Sequence, residues 1–212
     1  MVSKSILFSR IAYNIILFVR HMIGVVQTPY ETYRRLAKGE HLLQILPLLL
    51  VCIGYFGWSS LVHHGITAHP YLLTFSFGKL VAGFIITYIL VIVSLVGVSR
   101  VIGGVGGFRT ILLPWTYSLV PTIVWFFATS AMALLFPPPR TVSILGQAFS
   151  FLFLSFSLFL FFWKAILYYL TLRLGMKLSM GKIFIASLIL FPLGALYAVA
   201  LYQMGIFRIP FI

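Results

Sequence analysis

A chain of 212 residues that is 62% hydrophobic and only 8% charged, with a mean hydropathy of +1.12, has too little polar surface to cover a globule in water. Lipid is the expected outer solvent, and an ordinary soluble enzyme is excluded. Fifteen Lys and Arg stand against two acids, Glu31 and Glu40; with no basic, aromatic-studded soluble segment, a pI near 10.3 points to cationic loops on anionic headgroups rather than to nucleic acid.

Residues 1–26 are apolar but interrupted. At 100° per residue Arg10, Asn14, Arg20 and His21 share one side with Tyr13 and Gly24, while Ile11, Ile15, Leu17, Phe18 and Met22 spread around the rest. That pattern predicts an amphipathic helix lying in the membrane interface, with a sixth span as the alternative. No small-residue cleavage pattern follows, so a signal peptide is not expected. The segment TPYETYRRLAKGEH, 28–41, places Glu31 three and four residues before Arg34 and Arg35, as on a surface helix. Thr28 before Pro29 reads as its N-cap. Tyr30, Glu31, Arg34 and Arg35 form a candidate docking surface for a soluble partner. Residues 1–41 are therefore expected to be an N-terminal cytoplasmic, interfacial segment, and 42–212 a five-helix membrane domain.

Five segments are long enough to cross about 30 Å of hydrocarbon at roughly 20 residues each. They lie near 42–62, 78–100, 111–136, 147–172 and 183–207, and the second extends back to Tyr71 if it is long and tilted. HHGITAHP, RVIGGVGGFR, FPPPRTVS and RLGMKLSMGK separate them with glycine, proline or charge. The predicted fold class is all-α, a polytopic membrane protein with an interfacial helix in front. Lys and Arg set the orientation. A cytoplasmic N-terminus puts Lys4, Arg10, Arg20, Arg34, Arg35, Lys38, Arg100, Arg109, Arg173, Lys177 and Lys182 inside, leaving Lys79, Arg140 and Arg208 outside with the C-terminus. Of the inner group, Arg100, Arg109, Arg173, Lys177 and Lys182 are candidates for contact with the headgroups of an anionic inner leaflet.

The third segment, ILLPWTYSLVPTIVWFF, carries two prolines inside a run built for burial. Pro114 is expected in the first turn, where a missing N–H is harmless. Pro121 is expected in the interior, leaving the Tyr117 carbonyl without its donor, as Pro192 would leave that of Leu188. Lys164 lies nine residues before Arg173, about 13 Å from that end of its helix at 1.5 Å per residue. With the depths matched, Lys164, Tyr117, Ser118 and Ser187 are expected to form a polar layer that re-satisfies the carbonyls freed by Pro121 and Pro192. The alternative is a lysine stem that snorkels to the nearer headgroups.

Other chemistry is thin. Cys52 is alone, so neither a disulfide nor a CxxC site is available. His63, His64 and His69 have no carboxylate or thiolate beside them and predict interface residues rather than a metal site. IGGVGGFR lacks the lysine and hydroxyl residue of a phosphate loop and reads as a tight turn. With no aspartate, lipid-modifying chemistry lacks its usual carboxylates, and no catalytic residue, cofactor or metal is expected.

Several features, taken in order, resemble the YIP family, membrane proteins named for interaction with Ypt/Rab GTPases. They are the lead-in TPYETYRRL at 28–36, the inner loop GGVGGFR at 103–109, Tyr117-Ser118 followed by Pro121, Trp163 in the fourth span, and the basic turn LRLGMKLSMGK at 172–182. The short cationic N-terminal helix is similar to the shorter prokaryotic members. The resemblance implies five spans, a cytoplasmic N-terminus, a plasma-membrane location if the chain is prokaryotic, and a non-catalytic scaffold or accessory role beside transport or trafficking machinery. A membrane-protein partner or a homo-oligomer is then expected. The alternative is a small oligomeric transporter or channel for an anionic or lipid substrate.

Overall fold

In lipid every backbone amide must be satisfied within its own segment, so apolar runs of this length become helices. The computed structural model describes residues 2–64, 75–135 and 143–204, with 2–12, 60–64, 75–76, 133 and 134 described by backbone alone. Among the described residues there are helices and no strand, and five helical segments are long and apolar enough to cross a membrane. The chain is an all-α, multi-pass integral membrane protein.

Eight α-helices follow in order: α1 (Val2–Gln27), α2 (Pro29–Leu36), α3 (Ile45–His64), α4 (Phe75–Val101), α5 (Phe108–Tyr117), α6 (Val120–Leu135), α7 (Ile144–Leu170) and α8 (Met180–Gln203). A 3₁₀ turn over Leu42–Gln44 leads into α3, and a π turn over Thr171–Gly175 ends α7. The spans are α3, α4, α5 with α6, α7 and α8. His63, His64, His69, Arg140 and Arg208, and the predicted span ends at 71, 136 and 205–207, fall outside the residues or side chains described.

The third span is the most enclosed, 56% buried, and the fourth the least, 6%. α5 is central because both its sides are covered. Ile111 and Trp115 join one core with Cys52 and Phe56 of α3 and Phe84, Tyr88 and Ile92 of α4. Leu113 and Tyr117 join the other with Val25, Tyr33, Leu36, Leu48 and Leu167. The spacing of Phe84, Tyr88, Ile92 and Leu95 is one helical stripe, so α4 needs only that face for the protein and gives the rest to lipid.

α1 is one continuous helix, and its polar side turns toward the protein at two points. Gly24 meets Thr32 of α2 so closely that any Cβ there would collide with the threonine hydroxyl. His21 reaches Gln44. Ile15, Ile16, Val19, Ile23 and Val26 are exposed instead. Tyr13 and Arg20 of the polar side are exposed as well. Apolar residues facing outward suit a helix whose apolar side meets lipid, as an amphipathic helix in the interface also does.

The two prolines exchange their expected parts. α5 starts at Phe108, three residues before the predicted start, so Pro114 is interior and cannot donate to the carbonyl of Thr110. That carbonyl lies against Gly175, where a Cβ would come within 2.9 Å of it. The span breaks at Ser118–Leu119, and Pro121 falls in the first turn of α6, where its missing N–H costs nothing. Pro192 is interior to α8, as expected, and faces outward.

Candidate functional site

Hydroxyls tie the helices together in a repeated arrangement. In each case an aromatic N–H or O–H on one helix reaches a Ser or Thr on its neighbour, and that hydroxyl donates to the carbonyl four residues earlier. Tyr88 meets Thr116 at 2.6 Å, Trp125 donates to Ser157 at 2.9 Å, Tyr168 meets Ser187 at 2.9 Å, and Tyr197 meets Thr87 at 2.8 Å. The onward acceptors are the carbonyls of Leu112, Phe153, Ile183 and Gly83. These links join α4 to α5, α6 to α7, α7 to α8, and α8 back to α4. Between helices in lipid such bonds are worth on average about 0.6 kcal/mol and at most about 1.7. The hydroxyls are thereby committed to holding the bundle.

A second cluster anchors α1. Gln44 Oε1 lies 2.6 Å from His21 Nδ1 and accepts the Tyr117 hydroxyl at 3.1 Å. The amide nitrogen of Gln44 is buried without a partner among the described residues. Burial holds the His21 imidazole below its ordinary value; the Gln44 bond opposes this, and Arg20, Arg35 and His41 add to it. Tyr33 is wholly buried, which pushes its phenol well up. Its hydroxyl approaches Thr171, whose own proton goes to the Leu167 carbonyl, and it forms no well-aligned bond among the described residues.

At the end of the bundle that carries Arg100, Arg109 and Arg173, two loops clasp. Gly106 and Gly175 bring their backbones into contact: a Cβ on Gly106 would run into the Gly175 carbonyl. Val105 N–H donates to the Met176 carbonyl at 3.1 Å. Thr110 Oγ1 accepts from the Gly107 amide, and its single proton faces the carbonyls of Gly107 and Gly175, each 2.8 Å away. Gly103 has φ +91 and sits beside the Lys182 ammonium. Arg173 donates to the Leu178 carbonyl at 2.9 Å, and Lys177 takes a left-handed φ of 56°. The candidate headgroup residues Arg100, Arg109, Arg173, Lys177 and Lys182 are thus gathered at one end and exposed. On α2, Tyr30, Glu31, Arg34 and Arg35 are exposed together, while Thr32, Tyr33 and Leu36 are buried beneath them. Thr28 takes the N-cap position before Pro29, but its side chain makes no capping bond.

Lys164 departs from the expected layer. Tyr117 turns to Gln44, Ser118 donates to the Trp115 carbonyl at 2.6 Å, and Ser187 pairs with Tyr168. Each is satisfied elsewhere, so the bonds from Lys164 to these three do not form among the described residues. Lys164 instead lines a pocket of about 250 Å³ between α6 and α7, with Pro121, Thr122, Trp125, Ser157, Leu160 and Phe161. Of the expected layer, only Pro121 is brought to it. Thr122, Trp125 and Ser157 were missed. The stripe Ser157, Leu160, Phe161, Lys164 at i, i+3, i+4 and i+7 was the available signal.

The pocket combines an ammonium, apolar walls and one uncommitted hydroxyl. Thr122 Oγ1 is buried without a hydrogen-bond partner among the described residues. Such a lining suits an anionic group carried on an apolar body, and among the described residues no cluster of three metal-ligating side chains is present. Comparison with family models, with characterised proteins and with solved structures finds no match to this chain.

Proposed function

We propose that the chain is a non-catalytic membrane scaffold that organises membrane-protein partners, the role its resemblance to the YIP family implies. The observation that carries this reading is the division of labour between the spans. Four hydroxyls, on Thr87, Thr116, Ser157 and Ser187, are engaged in interhelical bonds, whereas α7 and α8, 6% and 11% buried, offer long apolar faces to the surrounding membrane. α7 adds a lysine-bearing pocket to that surface. The cationic end, with the exposed residues of α2, supplies a second surface suited to anionic headgroups or a soluble partner. The excess of Lys and Arg on those loops supports a cytoplasmic N-terminus and an outer C-terminus.

Affinity isolation in mild detergent tests the role. Reproducible recovery of one membrane transport or trafficking protein supports it, and a purified homo-oligomer that moves an anion or lipid across liposomes replaces it with the transporter reading. That second reading draws on the broken third span, since discontinuous helices near mid-membrane serve transport sites. Orientation is tested separately with Arg140→Cys and Lys177→Cys and an impermeant maleimide, the native Cys52 being buried. Labelling of both from one side overturns the topology.

A further inference from the structure

We propose that the pocket between α6 and α7 receives the carboxylate of a partner's membrane-spanning helix, paired with Lys164; the inference rests on the scaffold reading and names what that scaffold recognises.

Direction comes first. In an α-helix the Cα–Cβ bond tilts toward the N-terminus, which for α7 is the Ile144 end. The α7 residues that share the pocket with Lys164, namely Ser157, Leu160 and Phe161, all precede it in the chain. The ammonium is therefore led away from the nearer headgroups at Arg173, about 13 Å off, and toward an end about 30 Å off at 1.5 Å per residue. Snorkelling is opposed by the helix's own geometry. An ammonium held at that depth is stabilised by a counter-charge or by backbone carbonyls, and among the described residues it lines a pocket whose other polar side chains are Thr122, Trp125 and Ser157.

The chain holds two acids. Glu31 is on the exposed side of α2, and Glu40 is exposed beside it, next to the loop that meets Arg109. Neither lies on a span, so any counter-charge comes from outside. The donors define its shape. Trp125 N–H is given to Ser157, and Ser157 O–H to the Phe153 carbonyl. Lys164 and the buried Thr122 hydroxyl are left, two donors for the two oxygens of a carboxylate. The volume, about 250 Å³, equals roughly eight waters at about 30 Å³ each, room for one acidic side chain and the helix surface around it. A lipid carboxylate would have to leave the headgroup level to arrive, whereas a spanning helix carries its acid at fixed depth.

The test uses the full chain in phosphatidylcholine vesicles and a synthetic Leu/Ala transmembrane peptide with one Asp at the depth of Lys164. Association is read by energy transfer. The Asp peptide is expected to bind about tenfold more tightly than its Leu counterpart, a difference of about 1.4 kcal/mol. Lys164→Met abolishes that preference and Thr122→Val weakens it. Equal binding of Asp and Leu peptides to the wild type, or a preference that survives Lys164→Met, overturns the proposal. Displacement of the peptide by oleate, dependent on Lys164, assigns the pocket to a free amphiphile and overturns the partner helix. If Lys164→Met does not elute and melt as the wild type does, Lys164→Gln takes its place. Recovery of one native partner by wild type and Lys164→Met alike, with no Asp preference, removes the pocket's role and leaves the scaffold standing. An Asp preference with no native partner recovered supports the pocket and removes the scaffold.

Discussion

The third and fourth spans are built from similar apolar runs and do opposite things. α5 is sealed on both sides, and every residue from Leu113 to Pro121 is buried. α7 leaves Phe151, Leu152, Leu154, Phe159, Phe161 and Phe162 exposed and keeps only Leu160, Leu167 and Leu170 buried. The enclosed third span is the less apolar of the two, with a mean hydropathy of 1.5 against 2.0. The difference lies in close approach: Gly106 and Thr110 meet the Gly175 backbone and Thr116 meets Tyr88, while α7 turns a run of bulky phenylalanines outward.

The sharpest way to break this contrast is a cavity. Leu113→Ala, at a fully buried position, should cost about 2 kcal/mol or more, whereas Phe159→Ala on the lipid side of α7 should stay within about 0.5. Thermal unfolding in mild detergent, followed by tryptophan fluorescence, distinguishes them. Equal losses would mean that α7 is covered in the native assembly.

Overpacking the clasp comes next. Gly106→Ala drives a Cβ into the Gly175 carbonyl and should cost about 1–3 kcal/mol. Gly181→Ala, which meets open space at the start of α8, should be neutral or slightly stabilising by the same melt. Tyr88→Phe removes one interhelical bond to α5 and should cost about 0.6–1.7 kcal/mol. Trp125→Phe removes the corresponding bond to α7. Because the Trp125 link is half-buried and the Tyr88 link buried, the Tyr88 change should be the larger.

The smallest effect is a pH dependence at the edge of α5, where Tyr117 and His21 share Gln44. Burial lowers the His21 value below its ordinary 6.5, so the unfolded chain binds the proton more readily. The stabilising contribution is complete above about pH 6.5 and is lost as the pH falls from there through the folded value. Arg20, Arg35 and His41 face the same imidazole and act in the same direction. The melting temperature of the wild type should therefore fall below pH 6.5 more steeply than that of His21→Gln. Parallel profiles would remove His21 as the cause.

The spans were legible because lipid imposes one requirement, about 20 apolar residues per crossing, that composition answers directly. Helix starts were less so. Arg109 looked like loop, yet Thr110, three residues after Gly107, turns the loop into the first turn of α5, and this shift exchanged the parts of Pro114 and Pro121. Lys164 stood out by its cost, and Pro121 beside it. Its other neighbours did not, because Thr122 and Trp125 come together with Ser157 only through the packing of α6 on α7. Gln44 was invisible for a similar reason: its partners lie 23 and 73 residues away in sequence. Depth matching predicted one shared polar layer, but neighbouring hydroxyls in lipid find nearer acceptors on their own helices.

The clasp between Gly106 and Gly175 joins stretches on either side of the segment 136–142, as do the Trp125–Ser157 and Thr87–Tyr197 links. Severing the polypeptide within that segment should consequently yield two pieces, 1–139 and 140–212, that find each other when co-expressed. Complementation of this kind would show that the covalent connection is dispensable for assembly, the recognition between halves being written in glycine and hydroxyl contacts.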